Sequence, residues 1–146
     1  MLSGSKVAKC KILIIGDVAC GKTSLLMRYI NDSFEPIYKP NVAAEFCQKN
    51  VTVGDEEVTL HLWDIAGQDR LGGISKLFCR DAAGVIVVCD MTDRKTLNHG
   101  KTVSSLVKDW KDQVDSHTQS SSGVKIPMVL ACNKYDLIKK RDPMEL

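Results

Sequence analysis

Three runs, KCKILIIG (9–16), GVIVVCD (84–90) and IPMVLACN (126–133), are of strand length and almost wholly apolar. A strand with one wet face alternates apolar and polar side chains, so continuous runs of this kind belong to strands covered on both faces. Between them lie segments of helical period. KTSLLMRYIN carries Leu25, Leu26, Tyr29 and Ile30, expected on one face, and KTVSSLVKDWKDQV repeats Val103, Leu106, Val107, Trp110 and Val114 as one apolar stripe. Core packing accounts for that stripe. The alternation predicts an α/β fold, a mostly parallel sheet with helices on both faces. EFCQKNVTV and EVTLHLWD, flanking GDE, add an antiparallel hairpin at one edge. A short helix is expected from Arg70 to Ala82, with Gly72 and Gly73 loosening its start, and loops are expected over 31–44 and in SHTQSSSG.

The 146 residues suit one domain and show no internal repeat. AAGVIVVC (82–89), the longest apolar stretch, is far too short to span a bilayer, and MLSGSKVAKC lacks the apolar segment of a signal peptide. A cytosolic chain is expected. A net charge of +2 is too small to argue for nucleic-acid or membrane attraction, and the basic run KKR (139–141) reads as a solvated face. Six scattered cysteines and the three histidines, His61, His99 and His117, have no metal-ligand spacing. Buried, reduced thiols are expected rather than disulfides.

GDVACGKT (16–23) stands between the first apolar run and the first helical segment. A phosphate cradle needs backbone N–H groups turned into a concavity, with glycine where a side chain would block the approach. Gly16 and Gly21 fall at those places, with Asp17, Val18, Ala19 and Cys20 between them. Lys22 can bring positive charge to outer phosphates, and Thr23 can offer a hydroxyl to Mg²⁺ at the positive end of the helix that continues through Ser24.

Two further motifs close strands. In HLWDIAGQDR (61–70), Asp64 can hold Mg²⁺, Gly67 lets a backbone N–H approach a terminal phosphate, and Gln68 can orient a water for in-line attack. In NKYD (133–136), the carboxylate of Asp136 can accept two hydrogen bonds from guanine that adenine cannot offer. Asn133 can brace the loop, and the stem of Lys134 can lie over the base. Each of these two motifs alone is commonplace at a turn. With the glycine loop, three motifs in this order at the carboxyl edge of an open α/β sheet specify a site, because that edge is where such sheets bind ligands.

From Lys9 to Leu137 these motifs resemble those of the Ras-like small GTPases. WDIAGQDR is similar to the Rab branch of vesicle and organelle traffic, and with DWKDQVDS and VKIPMVLACNKYD to its subgroup of lysosome-related organelles. The resemblance implies a P-loop NTPase-type sheet and a switch that binds and hydrolyses GTP with Mg²⁺, slowly without an activating partner. It implies Gln68 as the hydrolytic residue, Phe34 beside guanine, Tyr38 in the first switch loop, and residues 65–80 as the second switch. Phe46, Trp63 and Phe78 match the aromatic cluster offered to effectors, although simple core packing also explains them. Implied partners are guanine nucleotide, effectors, exchange factors and GTPase-activating proteins, with a monomeric chain and no nucleic acid. The implied location is the cytoplasm, or the cytoplasmic face of endomembranes if a prenylated C-terminus lies beyond this chain.

The chain departs from the family pattern in four places. Asn41 stands where the first switch has a Mg²⁺-binding Thr, although an amide oxygen can also serve as a ligand. Ala43 replaces a Gly. Val18 and Ala19 replace smaller or more flexible residues, and a branched side chain there can impede water or an arginine finger. Finally, residues 1–146 are expected to be a single G domain that lacks the family's last strand, Ser-Ala-Lys loop, final helices and prenylated cysteines, hence no membrane anchor in this chain. An alternative of another class is therefore a non-hydrolysing pseudo-GTPase acting as an interaction module or decoy. A phosphate-loop kinase is the third reading, and it leaves NKYD and WDIAGQ unexplained.

Overall fold

A computed structural model describes residues 7–36, 45–66, 76–92, 103–118, 123 and 125–138. In chain order the elements are β1 (Ala8–Gly16), α1 (Lys22–Asn31), β2 (Glu45–Val53), β3 (Glu56–Asp64), α2 (Lys76–Cys79), β4 (Gly84–Asp90), α3 (Val103–His117), β5 (Met128–Asn133) and α4 (Tyr135–Ile138). The strands form one sheet in the order β2-β3-β1-β4-β5. β1 pairs in parallel with β3 and β4, β4 pairs in parallel with β5, and among the described residues only β2 and β3 are antiparallel. The expected mostly parallel sheet with one antiparallel edge hairpin is the fold observed.

The apolar run of β1 is explained by its central place. Leu13 and Ile15 point into a core with Val85, Val87, Trp110 and Val114, beneath α3. Ile14 points the other way, into a core with Leu26, Leu62 and Val88, beneath α1. Both faces are covered by helices, which is what a strand without polar alternation requires. Trp110 and Val114 of the expected α3 stripe are buried; the side chains of residues 103–107 lie outside the described part.

Three expectations need correction. The buried face of α1 is Lys22, Leu26 and Ile30 with Met27, whereas Leu25 and Tyr29 are exposed. Leu25 and Tyr29 form their own i, i+4 row one step around the helix, and Lys49 Nζ lies 4.0 Å from the centroid of the Tyr29 ring. The helix expected over 70–82 is described only as Lys76–Cys79, which ends in a turn at Asp81 with φ +58°; Gly72 and Gly73 lie outside the described residues. All six cysteines are free, as expected, but only Cys20 and Cys79 are buried, and Cys132 is exposed. Among the described residues, no helix is long and apolar enough to cross a membrane.

The sheet extends from β1 on both sides, to β3 and β2 on one and to β4 and β5 on the other. The helix after β1 covers one face and the helix after β4 the other, so the connections diverge at the carboxyl ends of these neighbouring strands, the place where open α/β sheets take ligands.

Candidate functional site

The turn leaving β1 needs glycine twice. A Cβ on Gly16 would strike the carbonyl oxygen of Val88 in β4, and one on Gly21, at φ +94°, would strike the side-chain amide of Asn133. Between them Ala19 holds φ +60° despite its Cβ, a conformation that costs roughly 1–2 kcal/mol for an L-residue. Val18 projects from the same turn and is 49% exposed. Cys20 is buried beneath it, and that burial pushes its thiol above the usual range despite the nearby Lys22 ammonium.

Lys22 opens α1 and is almost wholly buried. Its Nζ donates to the carbonyl oxygens of Gly16 at 3.1 Å and Asp17 at 2.9 Å. The loop thus folds around a positive charge at the amino end of a helix, and both features favour an anion. Gly21, the N-cap residue, contributes no side-chain cap, and Ser24 lies half-buried in the first turn.

Thr23 Oγ1 donates to Asp64 Oδ2 at 2.5 Å. The sheet brings them together, because Asp64 closes β3 directly beside Ile14 of β1. Asp64 is fully buried. A hydroxyl and one carboxylate are hard oxygen donors of the kind Mg²⁺ takes, along with water and substrate phosphates. Among the described residues no group of three or more His, Cys, Asp or Glu could hold a metal.

The strand end of β5 reaches back to this loop. Asn133 Nδ2 donates to the Cys20 carbonyl at 3.0 Å. Lys134, at φ +63°, donates from Nζ to the Ala19 carbonyl at 2.7 Å and pairs with Asp90 Oδ2 at 2.6 Å. Asp136 is exposed in the first turn of α4, and Phe34 is exposed beyond α1. Asn41, Gly67 and Gln68 lie outside the described residues, as do Tyr38 and Ala43.

Phe46, Trp63 and Phe78 do come together. Their ring centroids run in a row, 5.1 Å from Phe46 to Trp63 and 6.2 Å from Trp63 to Phe78. Trp63 and Phe78 pack on the core beneath α3 while Phe46 remains exposed. The row is anchored inside and open outside.

Asp90 was missed from the sequence. It closes β4 as Asp64 closes β3, and that parallel was the available signal. Its Oδ1 accepts from the backbone N–H and the hydroxyl of Thr92 at 2.8 and 2.7 Å. Burial pushes its carboxyl up, but the hydrogen bonds from Lys134 and Thr92 outweigh that and hold it below the usual carboxylate range.

Comparison with known proteins gives the chain's family. Residues 11–144 match the model of the Ras family. The chain belongs to the Ras family. This Ras-family chain is 38% identical over 128 residues to Ras-related protein Rab-32C of Dictyostelium discoideum, covering 88% of this chain and 53% of the relative. It is 39% identical over 135 residues to Ras-related protein Rab-7L1 of Rattus norvegicus (92% and 63%) and 35% identical over 136 residues to the Ypt/Rab-type GTPase YPT7 of Saccharomyces cerevisiae (92% and 62%). The chain thus spans between half and two thirds of the length of these relatives, and the Rab likeness read from WDIAGQDR is matched by their names.

Proposed function

We propose that this chain is a single nucleotide-binding domain of a Rab-type switch that binds GTP and GDP with Mg²⁺ and hydrolyses GTP in the service of vesicle or organelle traffic. The observation that carries this reading is the meeting of Thr23 and Asp64 at the mouth of a glycine loop that already encloses the Lys22 ammonium. The Rab-named relatives support the trafficking role.

In this reading the backbone of residues 16–24 and Gly67 holds the phosphates. Lys22 exchanges its carbonyl partners for outer phosphate oxygens. Thr23 and Asp64, with Asn41 from the first switch, hold Mg²⁺, which when bound neutralises charge developing between the outer phosphates. Asn133 and Lys134 set the depth of the loop, Asp136 selects guanine, and Phe34 covers the base. Gln68 orients the attacking water. Phe46, Trp63 and Phe78 present the surface that effectors read. The location follows from the same reading: cytoplasmic, and at the cytoplasmic face of endomembranes if a prenylated C-terminus lies beyond this chain.

A second reading, a non-hydrolysing interaction module, draws on Val18, which stands out of the loop where water and an activating partner would approach. Titration with fluorescent GDP, GTP and ATP, with and without Mg²⁺, tests the binding reading. Tight Mg²⁺-dependent guanine binding, weakened roughly tenfold or more in Asp136→Asn by the loss of charged hydrogen bonds, is expected. A folded chain that binds no nucleotide would overturn it. Single-turnover hydrolysis then separates the two readings: slow turnover abolished in Gln68→Leu marks the switch, and none in the native chain marks the module.

A further inference from the structure

One pair of reactive side chains takes no part in the nucleotide site yet adjoins it. Cys89 of β4 and Cys132 of β5 are register partners in the parallel pair, so their side chains leave the same face of the sheet. Their sulfurs are 3.7 Å apart, with the Cys89 thiol donating to the Cys132 sulfur. Paired Cα atoms on neighbouring strands lie about 4.8 Å apart, inside the span that a disulfide bridges. Cys132 is exposed. Each cysteine is followed directly by a residue of the loop brace, Asp90 after Cys89 and Asn133 after Cys132.

We propose that Cys89 and Cys132 are an oxidant-responsive dithiol, closed to an intramolecular disulfide by peroxide, and that closure loosens the brace between residues 133–134 and the loop at 19–21. The exposed Cys132 sulfur attacks a peroxide oxygen, the O–O bond breaks, and water leaves behind a sulfenic acid. The Cys89 sulfur then attacks the Cys132 sulfur. The S–S bond forms as the S–O bond breaks, and the departing hydroxide takes the Cys89 proton as water. Two thiols lose two electrons and two protons, and one peroxide becomes two waters. Burial first, and then the neighbouring Cys132, together push the Cys89 thiol up to about 11, which keeps Cys89 protonated at neutral pH, and the exposed Cys132 makes the first attack. Bond formation must draw the sulfurs from 3.7 Å to about 2.05 Å. That pull falls on the peptide units beside Asp90 and Asn133: the Asn133 side chain holds the Cys20 carbonyl, and Asp90 pairs with Lys134, which holds the Ala19 carbonyl.

The test uses the whole chain, reduced and then treated with graded hydrogen peroxide. Peptide mass spectrometry without reductant is expected to find the Cys89–Cys132 cross-link, reversed by dithiothreitol and absent from Cys132→Ser and Cys89→Ser. Amide exchange over residues 17–23 is expected to quicken on oxidation in the native chain and in neither variant. Cross-links through Cys10, Cys20, Cys47 or Cys79 instead, only intermolecular ones, or only sulfinic acid would overturn the dithiol. A cross-link without faster exchange would overturn the coupling. The coupling has a further readout that rests on the nucleotide-site reading: oxidation should speed release of fluorescent GDP by roughly fivefold, the worth of one net hydrogen bond. A chain that binds no nucleotide fails that reading alone, since cross-link and exchange are measured without nucleotide.

Discussion

At the scale of single residues, the loop between β1 and α1 holds both tension and its own brace. Ala19 sits at φ +60° where glycine would sit freely. Ala19→Gly is expected to raise stability in chemical denaturation by about 0.5–1 kcal/mol, the relieved strain less the added freedom of the unfolded chain. Gly21→Ala works the other way, since its Cβ meets the Asn133 amide at φ +94°. A loss of about 2 kcal/mol is expected, with the midpoint of denaturation falling accordingly. Asp90 adds a pH dependence. Its carboxyl is held below the usual range in the folded chain, so its stabilising effect is complete above the pKa of an unfolded Asp, about 3.9. The effect fades as pH falls through the lower folded value. Asp90→Asn should therefore be less stable than the native chain at neutral pH, and the gap should narrow as denaturation is repeated towards strongly acid pH.

At the scale of elements, the face a helix buries is decided by the sheet it lies on. Lys22, Leu26 and Ile30 face inward on α1, and Leu25 lies outside. Leu26→Ala is expected to cost about 2–3 kcal/mol through lost burial and a residual cavity, and Leu25→Ala under about 1 kcal/mol. Equal losses in thermal or chemical unfolding would return the packing to the face first expected. The row KTSLLMRYIN has apolar residues on two adjacent faces, and its period alone does not choose between them. The lysine at its start does so once it is pulled into the loop. β1 had no such ambiguity, since its run is apolar on both sides and both sides are covered.

At the scale of the whole molecule, the candidate site is a meeting of segments distant in sequence, with Asn133 and Lys134 bonded to carbonyls 113 and 115 residues earlier. Thr23 and Asp64, 41 residues apart, meet in the same way. Thr23→Ala removes a hydroxyl donor from a fully buried carboxylate and is expected to cost about 1–3 kcal/mol without any nucleotide; in titrations the same variant should lose the Mg²⁺ dependence of guanine binding. The sequence by itself determined the strands, the order of strand and helix, and the placing of three motifs at strand ends, because apolar period and glycine offsets are local properties of the chain. Strand order decided the rest. The order β2-β3-β1-β4-β5 sets Asp64 beside the end of β1, aims Asn133 and Lys134 at the glycine loop, recruits Asp90 and aligns Cys89 with Cys132. Those contacts follow from which strand lies next to which, and no local period carries that information.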